Sequence, residues 1–266
     1  DLEGDGDEDL LVVNGHVYPQ ATPETMDTTW RQRPLLMVWN GQRFQRLPSR
    51  PGHWLDEPRL DRTLLMGDLD LDGDPDLVLL SAGKDNRYIH NILLNNGTGT
   101  FTATVTLGEA STAPVARGAV SVDLDGDGGL ELLVATAGGS PELWHAPPPR
   151  GRHWLSVFPR KSEDEDRLWL EPTALGLTVE VKTGRQLQTA TLKPSSGYLG
   201  SPPPRAHFGL GEHEKADYVR LVWADAMLQN ELEVATDQTW QITKVHRKPS
   251  SCPILFAWDG ERYAFV

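Results

Sequence analysis

DLDLDGDPDLVLL, Asp68 to Leu80, is the stretch that decides the fold of this chain. It is an acidic loop running without a break into an apolar strand. Asp68, Asp70 and Asp72 alternate, Gly73 follows at position six, and Asp76 closes the loop at position nine. Alternating residues in a tight loop can aim their carboxylates at one centre. Hard oxygen ligands at that density suit a hard divalent cation, calcium above all. Glycine at position six allows the sharp turn, because a left-handed φ costs it little. Position seven, Asp74 in this copy, can add a backbone carbonyl.

The loop recurs twice. The chain opens with DLEGDGDEDLLVV, which puts Asp1, Glu3, Asp5, Asp7 and Asp9 on the same positions. DLDGDGGLELLVA supplies Asp123, Asp125, Asp127, Gly129 and Glu131. Each copy leads straight into an apolar strand. An EF-hand would need Glu at position twelve, where Val12, Leu79 and Val134 stand, and amphipathic helices on both flanks. LLMGD before Asp68 and DLVLL after it read as strands instead, so these are strand–loop–strand sites.

A second repeat accompanies the loops. LMVWNGQRF (Leu36 to Phe44) and LLNNGTGTF (Leu93 to Phe101) are each an apolar strand, an Asn-Gly turn and an aromatic opening the next strand. FAWDGERY (Phe256 to Tyr263) repeats the device with Asp-Gly. Such dipeptides between strands mark hairpins. Loop, strand, connection and hairpin, in that order, predict four-stranded blades around an axis. The loops start 67 and 55 residues apart, more than the roughly 40 to 50 of ordinary blades. His16 to Arg33 and Gly52 to Arg62 read as insertions.

APPPR, Ala146 to Arg150, marks a boundary, because a proline run cannot join a sheet ladder. Beyond it HWLSV, LTVEVKTGRQLQTATL, DYVRLVWAD and TWQITKV alternate apolar and polar residues, the pattern of strands with one buried face. His207 of HFGLG reads as a half-buried strand residue before a glycine-rich turn. Its neighbours Glu212, His213 and Glu214 have no metalloenzyme spacing. Trp39, Trp223 and Trp258 occupy core positions of strands, whereas Trp30 and Trp54 fall in insertions and are candidates for ligand contact.

The formal net charge of −13 is largely local, since the loops carry six, five and four carboxylates. No basic stripe points to nucleic acid. The single Cys252 excludes an intrachain disulfide and has no nucleophile signature. No apolar run is long enough to span a bilayer.

On these residues the first half resembles FG-GAP/VCBS repeats, as in integrin-α-type β-propellers. NGHVYP (Asn14 to Pro19), RGAVSVDLDGDG (Arg117 to Gly128) and PELWH (Pro141 to His145) are similar to phrases of bacterial relatives of cartilage acidic protein. HWLSV, LGLTVEVKTG, SGYLGS, HFGLG and YVRLVW resemble the ASPIC/UnbV domain, although Trp223-Ala224-Asp225 stands where that family reads W-P-x-G. The resemblance implies Ca2+ at the loop carboxylates, about three sites, and no catalytic residues. Integrin-type propellers close with seven blades, and about three are visible.

The expected architecture is all-β. A partial β-propeller of C-terminal blades covers residues 1–148, a small antiparallel β domain covers 149–247, and a following module begins at 248–266. The expected function is that of a calcium-binding, non-enzymatic, adhesion-type protein, secreted or at the cell surface, with an extracellular protein or glycan as partner. A polysaccharide-active enzyme with its site in other blades, or a passive scaffold segment, is the alternative.

Overall fold

The computed structural model describes residues 2, 7–47, 54–82, 88–107, 115–145, 147–160, 174–195, 197–245, 256–258, 260 and 263–265. Asp1, Glu3, Asp5 and Cys252 lie outside the described residues. The chain is all-β, as its patterning predicts.

Three antiparallel meanders follow one another. The first contains β1 (Leu10–Val12), β2 (Leu35–Trp39) and β3 (Phe44–Arg46), and the short helix α1 (Pro23–Met26) lies in the connection between β1 and β2. The second contains β4 (Asp61–Gly67), β5 (Asp76–Ala82), β6 (Tyr88–Asn95) and β7 (Phe101–Leu107). The third contains β8 (Val115–Val122), β9 (Glu131–Ala137) and β10 (Glu142–Trp144). The acidic loops join β4 to β5 and β8 to β9, and the first copy leads into β1. The Asn-Gly hairpins form as predicted, with Trp39 opposite Phe44 and Asn95 opposite Phe101.

The run Leu77-Val78-Leu79-Leu80 on β5 does not alternate, and its packing shows why. Leu77 and Leu79 enter a core with Leu36, Leu55, Leu93 and Phe101. Val78 and Leu80 enter another with Leu65, Ala116, Ala119, Leu132 and Val134. One strand is thus covered on both faces, by the preceding meander and by the following one. A strand buried on two sides must be apolar throughout. Each of its leucines contributes about 1.5–3 kcal/mol of transfer free energy. This stacking of meanders fixes the loop between β4 and β5.

The second half builds two sheets. One has the order β14 (Ala206–Gly211), β11 (His153–Arg160), β17 (Gln238–Thr243). The other has the order β13 (Gln186–Thr191), β12 (Thr178–Thr183), β15 (Lys215–Val222), β16 (Leu228–Ala235). Their shared core holds Leu155, Val157, Phe208 and Leu210 from the first and Val179, Val181, Val219 and Leu221 from the second. Trp223 belongs to this core. The domain is not wholly antiparallel, because β11 pairs with β17 in parallel. Alternation within single strands carries no information on such a pairing between distant segments. No described sheet mixes strands from before and after the proline run. β18 (Phe256–Trp258) and β19 (Tyr263–Phe265) form the last hairpin, where Trp258 is exposed rather than in a core.

Candidate metal centres in the acidic loops

One hydrogen bond is common to all three loops. The N–H of position two donates to the carboxylate of position nine: Leu2 to Asp9 Oδ2 at 2.7 Å, Leu69 to Asp76 Oδ2 at 2.8 Å, and Leu124 to Glu131 Oε2 at 2.7 Å. The second oxygen of position nine reaches the strand paired with the one its loop enters. Trp39 N–H donates to Asp9 Oδ1 and Asn95 N–H to Asp76 Oδ1. In the last copy the longer Glu131 meets the His145 ring, Nδ1 to Oε1, at 2.7 Å. Position nine is therefore a staple that ties loop to blade as well as a possible ligand.

Position one closes the turn. Asp68 accepts the N–H groups of Asp72 and Gly73, and Asp123 accepts that of Gly126. Position five folds back on position seven: Asp74 N–H donates to Asp72 Oδ1, and Gly129 N–H to Asp127 Oδ1. Gly73 and Gly128 at position six have φ of +98° and +92°, the conformation for which glycine was expected there.

The carboxylates that converge are those of positions one, three and nine. Oxygens of Asp68, Asp70 and Asp76 lie within 4.8 Å of one another, and so do those of Asp123, Asp125 and Glu131. Asp72 and Asp74 fall outside the first group, because Asp72 caps the backbone of its own loop and Asp74 leans over the Asn96-Gly97 turn. Asp127 groups instead with Asp125 and His145. Of the opening loop's expected ligands only Asp7 and Asp9 are described, and Asp9 keeps the staple of the other copies.

Burial sets the electrostatics. It pushes the Asp68 carboxyl up to about 8; the Gly73 N–H opposes this, and the charges of Asp72, Asp76 and Asp70 add to it. Burial likewise pushes Asp76 up to about 7, against the N–H groups of Asn95 and Leu69. Asp70, Asp74 and Asp123 are raised, burial first in each case. Asp70 Oδ1 and Asp123 Oδ2 are buried with no hydrogen-bond partner. The donor set is all hard oxygen at the first centre, so the residues present fit a calcium ion.

The second half of the chain covers the loops. Gly211 N–H donates to Leu71 O at 2.9 Å. A Cβ at Gly209 would lie 2.0 Å from Asp68 Oδ2 and 2.5 Å from Leu71 Cα, so β14 can approach the loop only as bare backbone. Gln186 presses on Gly73 and Trp154 on Gly128, with room for no side chain between. Arg205 Nη1 donates to Asp123 O, and the positive charges of Arg152 and Arg205 temper Asp70 and Asp123. HFGLG is thus strand, not turn. His207 stacks on Trp154 at 5.6 Å, and burial lowers its pKa to about 4.

Trp30 lines a cavity of 1280 Å³ that Asp68, Asp123, Tyr198 and His207 also face. Trp54 is half-buried and packs edge-on against Phe101 at the margin of the core.

Residues 68–134 match the model of the FG-GAP-like repeat. Residues 170–249 match that of the ASPIC and UnbV domain. The two stand in the expected order, and the repeat indicates a propeller-like fold for the stacked meanders. FG-GAP-like repeats are typical of adhesion-type domains of extracellular or surface proteins. No curated protein matches the chain significantly. Among the described residues no helix is long and apolar enough to cross a membrane.

Sequence reasoning missed three participants: His145, Arg205 and the glycines of β14. His145 follows β10 directly, one residue short of the register that Trp39 and Asn95 hold on β2 and β6. Arg205 and Gly209 carry no local signal, because their roles arise from packing between distant segments.

Proposed function

We propose that the chain is a calcium-pinned binding module of the adhesion type, non-enzymatic, acting outside the cell. The observation that carries this is the Asp68–Asp70–Asp76 group: three carboxyl groups held within 4.8 Å, two of them buried. Like charges so close and so dry repel strongly. A dication turns that repulsion into attraction, and Asp68, Asp70 and Asp76 are the residues that would hold it. Asp123, Asp125 and Glu131 would hold a second ion. Asp9 keeps the same staple in the opening loop and is the natural ligand of a third.

The ion cross-links a loop to the strand after it and to the next strand paired with that one. Binding to the folded state stabilises it by mass action, about 2.7 kcal/mol at a hundredfold excess over Kd. Extracellular calcium modules bind at about 10⁻⁴ to 10⁻³ M. An extracellular protein or glycan is the partner this reading favours. Its contacts fall on the insertions and loops, where Trp30 is placed to meet it. The test is thermal melting of the chelator-stripped protein against the same protein in millimolar calcium, with magnesium as control. A rise of roughly 5–10 °C in calcium is expected from that energy. Identical curves would remove the proposal.

A further inference from the structure

The loop from Asp123 to Glu131 differs chemically from the one before it. The residue that meets the position-nine carboxylate is Trp39 in one copy and Asn95 in another, and both use backbone N–H. In the last copy His145, one register position earlier, reaches that carboxylate with its side chain. Its Nδ1 lies 2.7 Å from Glu131 Oε1 and 4.0 Å from Asp125 Oδ2.

Two overlapping groups result. A ring nitrogen of His145 and oxygens of Asp125 and Asp127 lie within 4.8 Å of one another, as do oxygens of Asp123, Asp125 and Glu131. Asp125 belongs to both, so the two three-residue groups share one carboxylate. An independent observation points to a ligand here: Asp123 is 4% exposed, and its Oδ2 is buried without a hydrogen-bond partner. Asp125, Asp127 and His145 are exposed, which leaves the centre open to solvent on one side.

We propose that His145 joins Asp123, Asp125, Asp127 and Glu131 in a mixed imidazole–carboxylate site that prefers a borderline dication of the zinc class over calcium. This rests on the reading of the loops as cation sites and separates their metal preferences. Calcium takes oxygen ligands almost exclusively, whereas zinc binds imidazole nitrogen and carboxylate oxygen together. With its proton on Nε2, a neutral imidazole keeps the Nδ1 lone pair that faces Glu131 Oε1 and Asp125, and can offer it to a metal there. The Asp68–Asp70–Asp76 group has no imidazole and is left to calcium.

The test is zinc titration of the chelator-stripped chain in millimolar calcium, comparing the native protein with His145→Gln and Asp70→Ala. Zinc should bind the native protein and Asp70→Ala alike. His145→Gln should weaken it at least tenfold while leaving calcium stoichiometry unchanged. His145 is exposed, so its replacement should not disturb folding. Equal zinc affinity in the native protein and His145→Gln would overturn the proposal, as would loss of zinc in Asp70→Ala. Zinc held through His145 in a protein that takes no calcium would support this site and sink the calcium reading. Calcium in the loops with no zinc preference would do the reverse.

Discussion

Asp68 and Asp76 have been driven far above the usual carboxylate range by burial, and this fixes how the metal-free protein must respond to pH. A carboxyl whose folded pKa is raised above its unfolded value near 3.8 binds its proton more tightly when folded. Its contribution is complete below that unfolded value and is lost as pH rises through the folded one. In chelator the melting temperature should therefore fall between about pH 4 and pH 8, with Asp76 lost near 7 and Asp68 near 8. Calcium competes with those same protons, so its stabilisation should grow over that range. Melting curves with and without calcium at both ends check the sign, and a gap that is widest in acid would be the wrong one. Asp70→Asn should split the two states. It removes one of the repelling charges, which raises the metal-free melting temperature slightly, and it weakens calcium at least tenfold, ~1.4 kcal/mol. At Gly73 the left-handed φ and the Gln186 side chain both oppose a Cβ. Gly73→Ala should cost roughly 1–3 kcal/mol in denaturant titration.

At the scale of elements, the position-nine staple is what turns a loop into part of a blade. Asp76→Ala leaves the N–H groups of Leu69 and Asn95 without their acceptor. Burial of an unpaired group costs about 1–3 kcal/mol, so this change should destabilise the protein even in chelator, where a mere ligand would show no effect. Gly209→Ala on β14 drives a methyl into Asp68 and Leu71. It should weaken calcium at the first centre and speed protease cleavage in the proline run before β11; unchanged cleavage would mean that β14 does not rest on the loop. Much of this level was legible in the sequence. Asn-Gly announced its hairpins and DLVLL announced a strand, although its burial on both faces emerges only from the packing of three meanders. The meeting of β14 with the Asp68 loop was not legible, because the glycines of HFGLG answer to a surface more than a hundred residues away. For the same reason HFGLG reads locally as a turn, though the ladder with β11 makes it a strand. The parallel pairing of β11 with β17 was hidden likewise, since neither strand carries a mark of its partner.

For the molecule as a whole, the two halves meet at the acidic loops. Trp154 and Arg205 touch the loop of Asp123, while Gln186, Gly209 and Gly211 touch that of Asp68. Cations in these loops would thus stiffen the blades and the seat of the second half together. The repeat pattern could foretell each loop and its strand but not this shared use of them. The measurement that bears most directly on the account is calorimetric calcium titration of the chelator-stripped chain beside Asp70→Asn. The account predicts saturable binding at more than one site, with one site lost in the variant. Equal calcium stoichiometry and affinity in the two proteins would contradict it.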